Sequence, residues 1–136
     1  MGKLILLRGT SGSGKSSIAQ HIKDISKGGC SIRTADDYFI DIDGEYKFDA
    51  SKLGNAHARC LENVTNDMFF KVETVICANT NTTEKELAPY IEVAAKYGYD
   101  VVSLIVEHRH EGKNTHGVPE ETLQKQEQRL RSSLKL

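Results

Sequence analysis

The stretch GTSGSGKS, residues 9–16, constrains this chain more than any other. It matches G-x-x-x-x-G-K-S/T and lies between a continuous apolar run, Lys3–Arg8, and a segment of helical spacing from residue 15 to about 26. Strand, glycine loop, helix is the context this motif requires. Glycine lets the backbone wrap tightly, so successive N–H groups can point at phosphate oxygens. The positive end of the helix that follows adds to the attraction. Gly9, Thr10, Ser11, Gly12, Ser13, Gly14, Lys15, Ser16 and Ser17 are therefore expected to cradle a nucleoside triphosphate. Lys15 is expected at the β- and γ-phosphates and the Ser16 hydroxyl on magnesium, so the anticipated ligands are ATP and Mg2+.

The rest of the chain alternates strands with helices. Short apolar runs at residues 30–32, Thr74–Ala78 and 100–107 predict three further strands, the last of them buried like the first. Residues 50–70 predict the longest helix, with Leu53, His57, Cys60, Val64 and Met68 as its inner stripe. Thr83 and Glu86 form a capping box for another helix, which ends near Tyr97 at Gly98; Pro89 inside it is expected to kink it. A polar loop over about residues 108–119 is read as a short lid, followed by a helix over 120–130 with Pro119 at its start. This pattern predicts an α/β fold: a three-layer sandwich of the P-loop NTPase type, with a four- to five-stranded parallel sheet and helices on both faces. A single domain over residues 1–136 is expected.

No apolar run approaches the roughly 20 residues that span a bilayer, so no membrane association is expected. The run at residues 4–7 is too short for a secretory signal. Cys30, Cys60 and Cys77 have no metal-ligand spacing and read as free thiols of a reducing cytosol. Oligomeric state is not legible.

Net charge is −1 with a pI near 6.5, which gives no global attraction for nucleic acid. The charge is uneven, however. Between residues 36 and 49 stand six acids, Asp36, Asp37, Asp41, Asp43, Glu45 and Asp49, against Lys47 alone. Residues 124–136 carry Lys125, Arg129, Arg131 and Lys135 against Glu127, which reads first as a solvated helix face.

Within the acidic stretch, TADDYF puts two carboxylates together at the end of the second strand. Parallel strands share a carboxyl edge where ligands sit, so this turn is expected beside the phosphate loop. A carboxylate there can orient an acceptor hydroxyl and take its proton as the phosphoryl group moves in line. Neighbouring residues at such a turn cannot both face the cleft. Asp36 is read as the base and Asp37 as a helix cap or a ligand to magnesium through water. The alternative is that both cap a short helix running to Phe39.

Small size, a lone phosphate loop and the absence of a guanine-reading Asn/Thr-Lys-x-Asp string favour a compact kinase over a motor or switch. The strings LLRGTSGSGKSSIA, TADDYF, YKFDASKLGNAHARCLENV, NTNTTEKELAPYIEVAAKYGYDV and KNTHGVPEETL occur in this order. Together, over residues 3 to about 130, they resemble the P-loop kinase family of phage polynucleotide 5′-kinases and related animal proteins that bind a ubiquitin ligase. The resemblance implies that Asp36 is the general base toward a 5′-hydroxyl of a DNA or RNA end, with Lys15 and Ser16 at the phosphates. It also implies a lid cation, for which Lys113 is the best match and Arg109, four residues earlier, the second. It fits a cytoplasmic protein, including a phage-encoded one acting in its host.

Three positions depart from the family pattern. Phe39 stands where the phage enzymes carry an arginine after the DDY string. A lysine at 113 offers a point charge in place of a planar fork. Ala78 and Asn79 end the third strand where relatives carry an aspartate. Asn79 and Asn81 could orient the acceptor or serve as hydrogen bonders within the loop. His57 reads as a core histidine or a substrate contact, and His116 as a lid-turn residue. Two further readings remain: a kinase of a small hydroxyl compound such as a nucleoside or sugar, and a non-catalytic ATP-binding adaptor.

Overall fold

The computed structural model describes residues 2–110 and 117–135. Four parallel strands, β1 (Lys3–Arg8), β2 (Cys30–Arg33), β3 (Thr74–Ala78) and β4 (Asp100–Ile105), form one sheet in the order β2-β3-β1-β4. Helix α1 (Lys15–Ile25) follows β1, α2 (Leu53–Phe69) precedes β3, α3 (Glu84–Tyr97) joins β3 to β4, and α4 (Glu120–Ser132) comes last. Lys3 aligns with Thr74 on one side and Asp100 on the other, so β1 is interior.

That position explains the unbroken apolar run in β1. Side chains alternate across a strand. Leu4 and Leu6, with Val75 and Cys77, face α2 and α3 through Cys60, Val64, Met68, Leu87 and Ala94. Ile5 and Leu7, with Ile76 and Ala78, face the other way, onto Ala19 and Ile22 of α1. Helices thus cover both faces, as expected.

The fourth strand departs from expectation. It pairs with β1 alone and stops at Ile105, and Val101, Val102, Leu104 and Ile105 are each 36–40% exposed. An apolar run marks a strand, but only topology decides whether it lies at an edge. The inner stripe of α2 also differs: Ala56, Cys60, Val64, Asp67 and Met68 are buried, whereas Leu53 and His57 are exposed. A 3-10 turn at Ala50–Lys52, capped by Asp49, delays the α-helix to Leu53. In these first turns it is Ala56 that packs, against Ala35 and Phe39, so the buried side lies on Ala56 and not on Leu53 and His57.

Asp67 enters the stripe because Arg33 on β2 grips it with two bonds of 2.7 and 2.8 Å, and the Ser31 hydroxyl adds a third at 2.7 Å. A buried carboxylate is tolerated when paired this way. Helix α3 opens on half a capping box: the Thr83 hydroxyl accepts the Glu86 N–H at 3.2 Å. The Glu86 carboxylate accepts the Thr82 and Thr83 hydroxyls instead of reaching the backbone. Gly98 ends the helix in the left-handed region at φ 74°. Pro89 does not break it, since the helix runs unbroken from Glu84 to Tyr97. Half of the expected lid, including Lys113 and His116, lies outside the described residues.

Candidate active site

The loop after β1 is fixed by its own crowding. A methyl on Gly9 would sit 2.6 Å from Ser13 Oγ and 2.7 Å from the Val106 carbonyl oxygen, so no side chain fits there. Gly12 and Gly14 hold left-handed backbone at φ 82° and 104°, a conformation that costs other residues strain. The loop then turns into α1, whose first turn has no side-chain cap and no acid. Its leading N–H groups are therefore left for an anion, and Ser16 and Ser17 stand exposed beside them. Lys15 Nζ donates to the Gly9 and Thr10 carbonyls, both at 2.9 Å. Burial pulls the Lys15 ammonium down to about 8, and the negative charge of Asp36 opposes that fall.

The two acids of the DDYF turn face different neighbours. They open a 3-10 turn, Asp36–Phe39, and neither caps it; the Thr34 hydroxyl accepts the Asp37 N–H at 3.1 Å. The double-cap alternative is thereby overturned. Asp36 is exposed, shares its field with Lys15 and accepts the Tyr46 hydroxyl at 3.3 Å. Burial first, then the Asp36 charge and this bond, push Tyr46 up to about 12. The charge of Asp37 acts instead on Arg33 and Cys60.

Asn79 and Asn81 are both loop hydrogen bonders. Asn79 Oδ1 accepts the Ala35 N–H at 2.8 Å, tying the end of β3 to the start of the DDYF turn, and its Nδ2 contacts Cys60 and Cys77 Sγ at 3.5 Å each. Asn81, at φ 46°, donates to the Leu7 carbonyl at 3.2 Å and accepts from Arg8 Nε at 2.9 Å. His57 lines a cavity of about 250 Å³ with Leu61, Asn81, Lys85, Pro89 and Tyr90. Of the two lid cations, Arg109 is exposed and pairs with Glu107, and Lys113 lies outside the described residues.

Long-range contacts brought in four residues that local reading had missed. Gln126 on α4 accepts the Ser11 N–H at 2.9 Å, and His110 Nε2 lies 3.2 Å from the Ser13 carbonyl oxygen. Arg8 is 5% exposed and donates to Asn81, Ser103 and Ser133, neutral oxygens drawn from three elements beneath the loop. Tyr46 reaches Asp36. The HRH string after β4, the apolar-run position of Arg8 and the Asp43-Gly44 turn signal beside Tyr46 were the sequence signals for them.

The residues fit a triphosphate: an uncapped helix start, glycine-shaped loop and a lysine anchored on the loop rim. Among the described residues no cluster of three or more His, Cys, Asp or Glu could hold a metal ion. The Ser16 hydroxyl, exposed at the start of α1, is a residue that could hold magnesium together with the nucleotide's own oxygens.

A parallel sheet carrying this loop after β1, with an acid just past the end of β2, two strands away, defines a P-loop kinase-like α/β domain. A family model described as an AAA domain (AAA_33) matches residues 4–132, and the chain belongs to that family. Human NEDD4-binding protein 2 is 37% identical over 99 residues, 73% of this chain but only 6% of that protein. The structure of the Pnkp1/Rnl/Hen1 RNA repair complex contains a chain that superposes with a TM-score of 0.75 at 18% identity, covering 97% of this chain and 45% of that one. The APS kinase CysC of Mycobacterium tuberculosis (Cys556Ala mutant) superposes at 0.56 with 17% identity, covering 96% and 97%. The family and fold read from the sequence are both borne out. Among the described residues no helix is long and apolar enough to cross a membrane.

Proposed function

We propose that this chain is an ATP-dependent kinase that transfers the γ-phosphate to the 5′-hydroxyl of a DNA or RNA end. The observation that carries this reading is that Asp36, just past the end of β2, stands near enough to the phosphate-loop lysine for its charge to bear on Lys15. Asp36 accepts the hydroxyl proton. The acceptor oxygen forms a bond to the γ-phosphorus, the bond from that phosphorus to the bridging oxygen breaks, and ADP leaves. Lys15 and the N–H groups at the start of α1 stabilise the charge that gathers on the phosphate oxygens. Magnesium, when bound through Ser16 and the phosphates, neutralises further oxygen charge. Asp37, whose charge also reaches Arg33 and Cys60, would meet that metal through water. The cation that adds charge to the phosphates from the polar loop after β4 is, on this reading, Lys113, with Arg109 second.

The likeness to a chain of an RNA repair complex supports the acceptor class, and a single kinase domain over residues 1–136 is part of this reading. The test offers γ-labelled ATP with a 5′-hydroxyl oligonucleotide, the same strand already carrying a 5′-phosphate, and small hydroxyl compounds. Label on the first strand alone supports the reading. Label on a small compound alone overturns the acceptor class, and no label anywhere leaves a nucleotide-binding adaptor.

A further inference from the structure

The loop between Asp36 and α2 is built more firmly than a connector requires. Ile40 and Tyr46 form an antiparallel bridge, Lys47 N–H donates to the Phe39 carbonyl at 2.8 Å and Asp41 N–H to the Glu45 carbonyl at 2.9 Å. The Asp41 carboxylate accepts the N–H groups of Asp43 and Glu45, both at 2.9 Å, and pairs with Lys47 at 3.0 Å. Gly44 supplies the left-handed step at φ 82°. What this hairpin holds up is a set of rings. Phe39 is buried and meets Tyr46 and Phe48 edge-on, at 6.2 and 5.1 Å between centroids. Tyr46 and Phe48 lie nearly parallel, 14° apart in plane, and Phe48 keeps 54% of its surface in solvent.

Two features say what such a surface accepts. One end of it touches the acid, since the Tyr46 hydroxyl donates to Asp36 Oδ1. The other is charge: residues 36–49 carry six carboxylates, and the single Lys47 is engaged with Asp41 and Glu45. A phosphate is repelled here. A flat, uncharged ring is not, and an aromatic face exposed on a rigid hairpin is a stacking partner for it at little ordering cost.

We propose that Phe48, backed by Tyr46, is the platform on which the nucleobase of the acceptor's terminal nucleoside stacks, which brings that nucleoside's 5′-hydroxyl to Asp36. This rests on the proposed kinase reading and adds to it a base-bearing, unphosphorylated end as the group recognised. The acidic stretch then acts as a filter against an end that already carries phosphate. Phe48 is a specificity residue, and Tyr46 both supports it and orients the acid.

The experiment compares a ten-nucleotide 5′-hydroxyl strand with the same strand whose terminal nucleoside lacks its base. In the wild type the base-bearing strand is preferred by roughly tenfold or more in kcat/KM, the scale of one base–aromatic stack. In Phe48→Ala that preference falls toward unity through a rise in KM, and Phe48→Tyr restores it. Equal use of both strands by the wild type, or an undiminished preference in Phe48→Ala, overturns the platform. If neither strand is turned over, the kinase reading fails first. Anisotropy of the 3′-labelled strands on the full chain with a non-hydrolysable ATP analogue then decides the platform by itself. Roughly tenfold weaker binding by Phe48→Ala supports it; equal binding, or none by the wild type, overturns it.

Discussion

Asp36 and Lys15 come from different strand ends, yet the charge of the acid opposes the fall that burial imposes on the lysine, which is pulled down to about 8. The sign of the consequence is fixed. A lysine whose value is lowered is charged below that value and neutral above it, and a triphosphate needs the charged form. ATP affinity in the nucleotide-free protein is therefore expected to hold up to about pH 8 and to weaken above it, by at most about tenfold per pH unit. Isothermal titration between pH 6.5 and 9.5 checks this, with Lys15→Arg, always charged, showing a flat profile. A wild-type profile that is flat as well refutes the electrostatic account of the loop.

Gly9 has no room for a methyl group, because Ser13 Oγ and the Val106 oxygen stand within 2.7 Å of where it would go. Gly9→Ala is expected to destabilise the protein by about 1–3 kcal/mol through overpacking. It should also weaken ATP binding, since the loop must move. Thermal melting with and without ATP reads both effects, and an unchanged melting temperature contradicts the crowding seen here.

The Arg33–Asp67 clasp ties β2 to α2. Burial raises the Asp67 carboxyl, and the bonds from Arg33 and Ser31 outweigh this and leave it below its ordinary value. Its contribution is thus present above the unfolded carboxyl's value of 3.8 and lost as pH falls through the lower folded value. Asp67→Asn should cost about 1–3 kcal/mol at neutral pH, less than a fully buried pair because the Arg33 side chain is 37% exposed. Urea denaturation at pH 7 and pH 3 checks it: the gap between wild type and variant closes at the lower pH.

Arg109 is already engaged with Glu107 and stands in solvent. Lys113→Ala is accordingly expected to lower kcat more than Arg109→Ala, on the order of tenfold or more against a few-fold. Single-turnover rates on both variants measure the difference, and the reverse order assigns the lid cation to Arg109.

How much of this was legible in the residues follows from range. Lys3–Arg8, Thr74–Ala78, the phosphate loop and the Gly98 stop are local patterns, and each was readable from a few neighbours. The exposure of β4 was not, because an apolar strand reads alike at an edge and in the middle until strand order is known. The inner stripe of α2 was right for Cys60, Val64 and Met68 but not for Leu53 and His57, because what packs on the first turns is the DDYF turn, which meets Ala56. Gln126 lies 115 residues from the Ser11 N–H it accepts, and no spacing announces such a partner. Tyr46 is only ten residues from Asp36, yet the contact depends on a hairpin whose turn the Asp-Gly pair merely hinted at.

The central claim is that Asp36 takes the acceptor's proton across the cleft from the loop that holds ATP. The most direct measurement is the single-turnover rate of γ-phosphate transfer to a 5′-hydroxyl strand in the wild type and in Asp36→Asn, with ATP affinity measured alongside. The account predicts a rate lower by about 10²–10⁴-fold with ATP affinity changed little. A variant that transfers phosphate within a few-fold of the wild-type rate contradicts it.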